Sequence, residues 1–256
     1  MPTLEGRTAI VTGASRRRGL GFAIARALAA DGANLCLARH RAYDRTQSWY
    51  DATDCNIDAM AAEIGTDSVR VVSFDIDLSR PDGAAELFHK TRQALGTVHV
   101  LVNNAAYSIP GGIDRLDAAT LDAHYAVNLR AVSLLSAEFA RQFDQPTGGR
   151  IVNLTSGQGV TPMPNELAYA ATKGAVDALT TSLSAALADK GITVNAVDPG
   201  ATDTGWIDPN LERTLLATAP MGRLGQPEDA ARLVAFLASD DAAWITGQVI
   251  RSRGGA

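Results

Sequence analysis

Short apolar runs alternate with longer amphipathic stretches along the whole chain. The runs are TAIVT at 8–12, NLCLA at 34–38, RVVSF at 70–74, VHVLVN at 98–103, RIVNLT at 150–155, ITVNAV at 192–197 and QVIRS at 248–252. They are rich in β-branched residues and nearly continuous in apolar character, which is the pattern of parallel strands covered on both faces. Between them, LGFAIARALAADG, PDGAAELFHKTRQALG, PEDAARLVAFLAS and two long stretches near 117–143 and 166–189 carry apolar residues at helical spacing. Gly32 and Gly96 stand where glycine ends a helix, and Asp82 stands where a carboxylate favours a helix start. This alternation predicts an α/β fold: a doubly wound, Rossmann-type parallel sheet of about seven strands with helices on both faces. No linker divides the chain, so one domain over 1–256 is expected. The polar, irregular segment 41–56, RAYDRTQSWYDATDCN, reads as a surface loop, long for such a connection.

Composition narrows the classes. The chain has 256 residues, 46% hydrophobic and 20% charged, enough to bury a substantial core. A formal net charge of -5 excludes a broad basic footprint for nucleic acid, so any role of the consecutive Arg16, Arg17 and Arg18 is local. Cys36 and Cys55 allow one disulfide at most, and the four histidines share no metal-binding spacing, so no metal is expected. No apolar run is long enough for a membrane span, and MPTLEGR has no apolar signal core. A cytoplasmic protein without membrane or nucleic-acid partners is expected.

Two motifs carry candidate chemistry. TGASRRRGLG, residues 12–21, joins the first strand to the first helix. Glycines there let a pyrophosphate come close to the backbone, and the helix N-terminus offers unpaired N–H groups. The plain alternative is a tight turn with solvated arginines. YAATK, Tyr169 to Lys173, puts a phenol and an ammonium on one helix face. A free phenol ionises near ~10, and a neighbouring positive charge lowers that value toward a useful range. Here the alternative is a packed tyrosine beside a snorkelling lysine.

Together these residues resemble the short-chain dehydrogenase/reductase family. Its glycine pattern, TGxxxGxG, is matched in type by Thr12, Gly13, Gly19 and Gly21, but residues 14–18 make this loop two residues longer. The resemblance implies cofactor contacts from Gly13, Ser15, Arg16, Arg17, Arg18, Gly19, Leu20 and Gly21. It implies that Asp77, in DLS at 77–79 with Leu78, holds the adenine, with Asp75 as the competing alignment. NNAA at 103–106 matches the family's NNAG except at Ala106, and the resemblance sets Asn103, Asn104, Ala105 and Ala106 against the cofactor. Pro199, Gly200, Thr202 and Thr204 resemble the motif beside the nicotinamide. In NAD-binding members an acidic residue ends the second strand; here Arg39 stands there, followed by His40 and Arg41. A guanidinium cannot accept ribose hydroxyls but pairs with a 2′-phosphate, so NADP(H) is the expected cofactor, with one or more of Arg16 to Arg18 closing on the phosphate.

The same resemblance assigns a catalytic set: Asn128 in HYAVNLRA, Ser156 thirteen positions before Tyr169, Tyr169 and Lys173. Ser156 would donate to the substrate carbonyl, Thr155 being the neighbouring alternative; Tyr169 would exchange the proton. Lys173 would hold the nicotinamide ribose and depress the phenol, and Asn128 would bind a water linking Lys173 to solvent. The reaction implied is NADPH-dependent reduction of a ketone, aldehyde or 3-oxoacyl thioester. Residues 201–222 would cover the substrate, with Trp206, Ile207, Leu211, Leu215 and Met221 lining a pocket or packing a helix, and Met163 and Pro164 nearby. The overall pattern is closest to 3-oxoacyl-carrier-protein reductases. Alanine-rich surface on the 166–189 helix implies, with the family, a homotetramer. An NAD-dependent alcohol or polyol dehydrogenase and a catalytically silent dinucleotide sensor are the rival readings.

Overall fold

The structure, a computed structural model, describes residues 3–47 and 50–255. Every predicted apolar run is a strand: β1 (Thr8–Thr12), β2 (Asn34–Arg39), β3 (Val71–Asp75), β4 (Val100–Asn103), β5 (Gly149–Leu154), β6 (Ile192–Asp198) and β7 (Val249–Arg251). They form one parallel sheet in the order β3-β2-β1-β4-β5-β6-β7. Strand order reverses between β1 and β4, where Val11 pairs with Leu37 on one side and Val102 on the other. The helices Leu20–Ala30 after β1 and Val132–Gln142 after β4 pack on opposite faces of the sheet, which opens a crevice at the carboxyl ends of the strands.

The helices are α1 (Leu20–Ala30), α2 (Arg41–Asp44), α3 (Ile57–Ile64), α4 (Gly83–Leu95), α5 (Ala118–Tyr125), α6 (Val132–Gln142), α7 (Leu167–Ala186), α8 (Pro209–Ala217) and α9 (Pro227–Ala238). Successive strand residues point to opposite faces, so the sheet has two cores. Ala9 and Val11 join Phe22, Ile24, Leu28 of α1, Met60 of α3 and Val234 of α9. Ile10 joins Leu87 and Phe88 of α4 and Leu135 and Phe139 of α6. At the amino end of the strands, the buried Arg150 donates to Asp240 at 3.1 Å, to Ser239 O at 3.2 Å and to Gly149 O at 3.0 Å.

Three expectations are revised. The long helix near 117–143 is not uniformly α: a π-helical segment, Ala126–Ala131, joins α5 to α6. The segment 41–56 is not simply a surface loop, because α2 folds back and buries Asp44; Ser48 and Trp49 lie outside the described residues. Asp82 precedes α4 but makes no cap hydrogen bond, since Arg80 takes its carboxylate at 2.6 and 3.1 Å. Gly32 and Gly96 adopt positive φ (91° and 82°) at helix ends, as expected. Cys36 and Cys55 are both free.

Phe88 and Phe139 meet edge to face with ring centroids 6.4 Å apart, fixing α4 against α6. We expect Phe139→Ala to cost about 3–5 kcal/mol, read as a lower urea midpoint at unchanged slope. A loss below about 1 kcal/mol would show that this contact does not hold the second core.

Candidate active site

Backbone proximity shapes the crevice. Gly13 has φ +68, and a Cβ on it would fall 2.7 Å from Ala105 Cα. A Cβ on Gly21 would fall 2.6 Å from Gly13 O and 2.7 Å from Asn104 Nδ2. Asn104 locks the junction by donating to Thr12 O at 2.8 Å and Gly13 O at 3.2 Å. Gly19 precedes α1 with no side-chain cap, leaving the first amides of the helix open to a ligand. A cavity of about 530 Å³ lies over this junction. Gly13, Ser15, Arg16, Gly19, Leu20, Gly21, Arg39, Asp77, Leu78, Asn104, Ala105, Ala106 and Thr204 of the expected cofactor residues line it.

The arginine cluster divides. Arg16 lines the cavity and donates to Thr204 O at 3.0 Å and Thr204 Oγ1 at 3.4 Å. Arg17 and Arg18 are not among the cavity-lining residues, which corrects the expectation that all three share the site. Arg17 pairs with Glu63 and lies over the Phe22 ring, and its N–H donates to Asp54 O. Arg18 donates its N–H to Asp54 Oδ1 at 3.1 Å, and its guanidinium is 4.0 Å from Asp203. The lengthened glycine loop is therefore docked on the long segment after β2. Arg39 faces the cavity with a buried Nε that has no partner among the described residues, the kind of donor an anion would satisfy. Asp75 is taken by Arg41, through N–H and Nε at 3.0 Å each, whereas Asp77 lines the cavity. Asn103 points elsewhere, donating to Asn153 at 2.8 Å inside the sheet.

The acid–base candidates do not line this cavity; they are joined to its wall through Asn128, which bonds Tyr107 of the lining and Thr172 of α7. β5 delivers Ser156, and the first turn of α7 delivers Tyr169, to which Ser156 hydrogen-bonds. Lys173, one turn on, is buried; its Nζ donates to Leu154 O at 2.7 Å and lies 5.6 Å from the Tyr169 ring centroid. Thr155 instead faces the α7 backbone, 3.4 Å from Lys173 O. Asn128, in the π-helical segment, accepts from Tyr107 N–H at 2.8 Å and donates to Tyr107 O at 2.9 Å and Thr172 Oγ1 at 3.1 Å. Its side chain ties the segment after β4 to α7 and makes no direct bond to Lys173.

A family model described as Enoyl-(Acyl carrier protein) reductase matches residues 13–256. Uncharacterized oxidoreductase YjdA of Bacillus subtilis (strain 168) is 46% identical over 253 residues, covering 98% of this chain and 97% of that protein. The chain belongs to the short-chain dehydrogenase/reductase family. This is an oxidoreductase family acting on CH–OH and C=O groups. The 3-oxoacyl-[acyl-carrier-protein] reductase FabG of Staphylococcus epidermidis (strain ATCC 12228 / FDA PCI 1200) is 34% identical, covering 97% of this chain and 98% of that protein. The crystal structure of angucycline C-6 ketoreductase LanV with bound NADP aligns with TM-score 0.86 at 32% identity, covering 98% of this chain and 96% of that one.

Against the family expectation, several residues sit apart from the main cavity. Pro199, Gly200 and Thr202 do not line it; Thr202 donates to Pro199 O at 3.1 Å, and Pro199 borders a smaller cavity of about 290 Å³. In 201–222, Trp206 is half exposed and donates to Thr202 O at 3.1 Å. Met221 borders the smaller cavity, Leu211 and Leu215 lie on α8, and Ile207 is half-buried. Met163 is half-buried and Pro164 exposed. Sequence reasoning missed Tyr43 and Asp44, which line the large cavity; Asp44 accepts from Ser15 at 3.1 Å. It also missed Tyr107, whose ring is 5.6 Å from that of Tyr43 and 4.9 Å from that of His124. The available signal was an aromatic residue close behind each motif: Tyr43 two positions after ARHR, and Tyr107 directly after NNAA.

Burial dominates the electrostatics of this pair in the protein alone. Burial pushes the Tyr169 phenol up to about 12; the Ser156 hydrogen bond opposes this, and Glu166 and Asp198 add to it. Burial likewise pulls Lys173 down to about 8, with Asp177 opposing. In the protein alone, desolvation outweighs the help a nearby ammonium gives the phenolate. Below pH 8 the folded state carries the cost of a buried ammonium; between about 8 and the ordinary 10.5 it has released a proton the unfolded chain still holds, so this cost fades as pH rises. We expect Lys173→Met to melt above the wild type at pH 7, with the gap closing toward pH 10. A gap that is absent, or constant with pH, would show that the buried charge is not a burden.

Proposed function

We propose that the protein is an NADPH-dependent carbonyl reductase taking ketones, aldehydes or 3-oxoacyl thioesters. The observation that carries this reading is the convergence of Ser156, Tyr169 and Lys173, joined through Asn128 to a cavity whose β2 wall ends in Arg39 instead of a carboxylate. Gly13, Gly19 and the first turn of α1 would hold the pyrophosphate, Asp77 the adenine, and Arg39 with Arg16 the 2′-phosphate. When bound, NADPH supplies the hydride that reduces the carbonyl carbon. Ser156 donates to the carbonyl oxygen, and Tyr169 gives its proton to the developing alkoxide. Lys173 carries positive charge near neutral pH and favours the phenolate left behind. Asn128 keeps Tyr107 and α7 in register around them. NADP bound to LanV and the 3-oxoacyl activity named for the Staphylococcus relative support the cofactor and the substrate class. The assembly we propose is a homotetramer, supported by the exposed small residues Ala171, Ala178, Ser182 and Ala185 on α7.

Asp44 favours a second reading. It is a carboxylate in the same cavity, raised by burial against the pull of Ser15, His40, Arg16 and Arg39, and could accept a ribose hydroxyl. That would suit NAD(H) and an alcohol or polyol dehydrogenase.

Kinetics separate the two. We expect Tyr169→Phe to lose about 10²–10⁴-fold in kcat while binding NADPH as before; a folded variant with full turnover would remove the mechanism. We expect Arg39→Met to raise KM for NADPH about tenfold or more, leaving NADH unchanged, while Arg17→Met leaves both unchanged. A wild type that prefers NADH would select the second reading.

A further inference from the structure

Arg253 lies just past β7 and belongs to none of the roles assigned above. Its Cγ is 2.9 Å from where a Cβ on Gly200 would sit, and its Nη1 is 2.7 Å from where a Cβ on Gly157 would sit. The stem thus lies on the turn after β6, and the guanidinium against the residue that follows Ser156. Nη1 faces Asp198 Oδ2 at 3.4 Å, while Asp198 Oδ1 accepts from Gly200 N–H at 2.9 Å. Ser252 N–H donates to Asp198 O at 2.7 Å, so the C-terminal segment holds Asp198 from two directions. Asp198 and Arg253 side chains are only 2% and 14% exposed, and Arg253 Nε is buried without a partner among the described residues. A buried ion pair with an unsatisfied donor is a poor stabiliser against an apolar pair of similar volume, so its value is sought in the site it borders.

That site is the phenol. The groups bearing on Tyr169 are Ser156 from the end of β5, Glu166 and Lys173 on its own helix side, and Asp198 from β6. His124 of α5 bears on Glu166, and Asp177 bears on Lys173. Both Glu166 and Asp198 oppose phenolate formation. Arg253 is the cation set directly on one of them.

We propose that Arg253 is a positioning residue for the Ser156–Tyr169 pair: it fixes the turns after β5 and β6 against each other and pairs with the Asp198 carboxylate between them. This rests on the reading of Tyr169 as the acid–base group, but its test does not require turnover.

The test follows Tyr169 ionisation by pH-jump ultraviolet absorbance, with Tyr169→Phe identifying the signal. Asp198→Asn keeps an oxygen for Gly200 N–H and removes the charge; its midpoint should fall by about one unit. Arg253→Met should raise the midpoint, and Arg253→Lys should restore it. Because Arg253→Met strands a buried carboxylate, the double variant D198N/R253M, which buries no charge there, decides the matter if the single variant does not fold. It should titrate above D198N alone. In turnover, Arg253→Met should lower kcat about tenfold, with KM for NADPH held within about threefold. Midpoints unchanged by removal of Arg253, in either background, overturn the proposal. An inactive Tyr169→Phe with unmoved midpoints sinks Arg253 alone, whereas an active Tyr169→Phe sinks the functional reading itself.

Discussion

The turns leaving β1 and β4 come so close that no side chain fits between them. With Ala105 Cα only 2.7 Å from the position of a Cβ on Gly13, and Asn104 bonded to the carbonyls of Thr12 and Gly13, the two chains form one rigid lip. Gly21 seats α1 against the same lip, so the uncapped helix end faces the crevice. β5 then continues the sheet beside β4 and brings Ser156 to that height, and α7 returns over it with Tyr169 and Lys173. A bulkier residue at either glycine would displace the lip and, with it, the distance between the cavity and the hydroxyl pair.

Two irregularities of the chain are one structural feature. The glycine loop has two residues beyond the family pattern, and the connection after β2 is unusually long. The extra loop residues do not hang in solvent. Arg17 and Arg18 are pinned through their N–H groups to Asp54, and Arg17 reaches Glu63 at the end of α3. Ser15 bonds Asp44 from the other side. These anchors hold the ends of the loop while the intervening turn leaves Arg16 over the cavity. A charge cluster that reads as one unit along the chain is thus split between the cavity and its outer wall.

Strands were legible because their signal is local and repeated: β1 is TAIVT, and its buried parallel partners show the same continuous apolar character. Gly13, Gly21, Tyr169 and Lys173 were legible because their local spacing, within a turn or across one turn of helix, matches motifs of the family that the chain resembles. What spacing does not carry was missed. Tyr43 and Asp44 reach the cavity only because α2 folds back, and their surroundings come from the glycine loop and from the segment after β4. Arg253 meets Asp198 and Gly157 across more than fifty residues of chain. The direction of the Tyr169 shift in the protein alone comes first from burial, with Glu166 at the start of the same helix and Asp198 from another strand adding to it, and burial is what the spacing of YAATK does not show. The π-helical segment has an unremarkable apolar pattern; Asn128 sits in it through its pairing with Tyr107 and Thr172.

Arg150 is anchored at the opposite end of the sheet from all of this, held by Asp240, Ser239 O and Gly149 O, with Arg7 joining Asp240 at 2.6 Å. The molecule therefore has a foot and a head. Its foot is clamped by charge on a strand itself, Arg150 on β5, whereas at its head the hydrogen bonds and ion pairs run between turns and strand ends, as from Asn104 to Gly13 and from Arg253 to Asp198. Loops at the head can be lengthened, as the glycine loop already is, without loosening the sheet below. New ligand preferences can therefore be grafted onto this scaffold at one pole while the other keeps the strands in order.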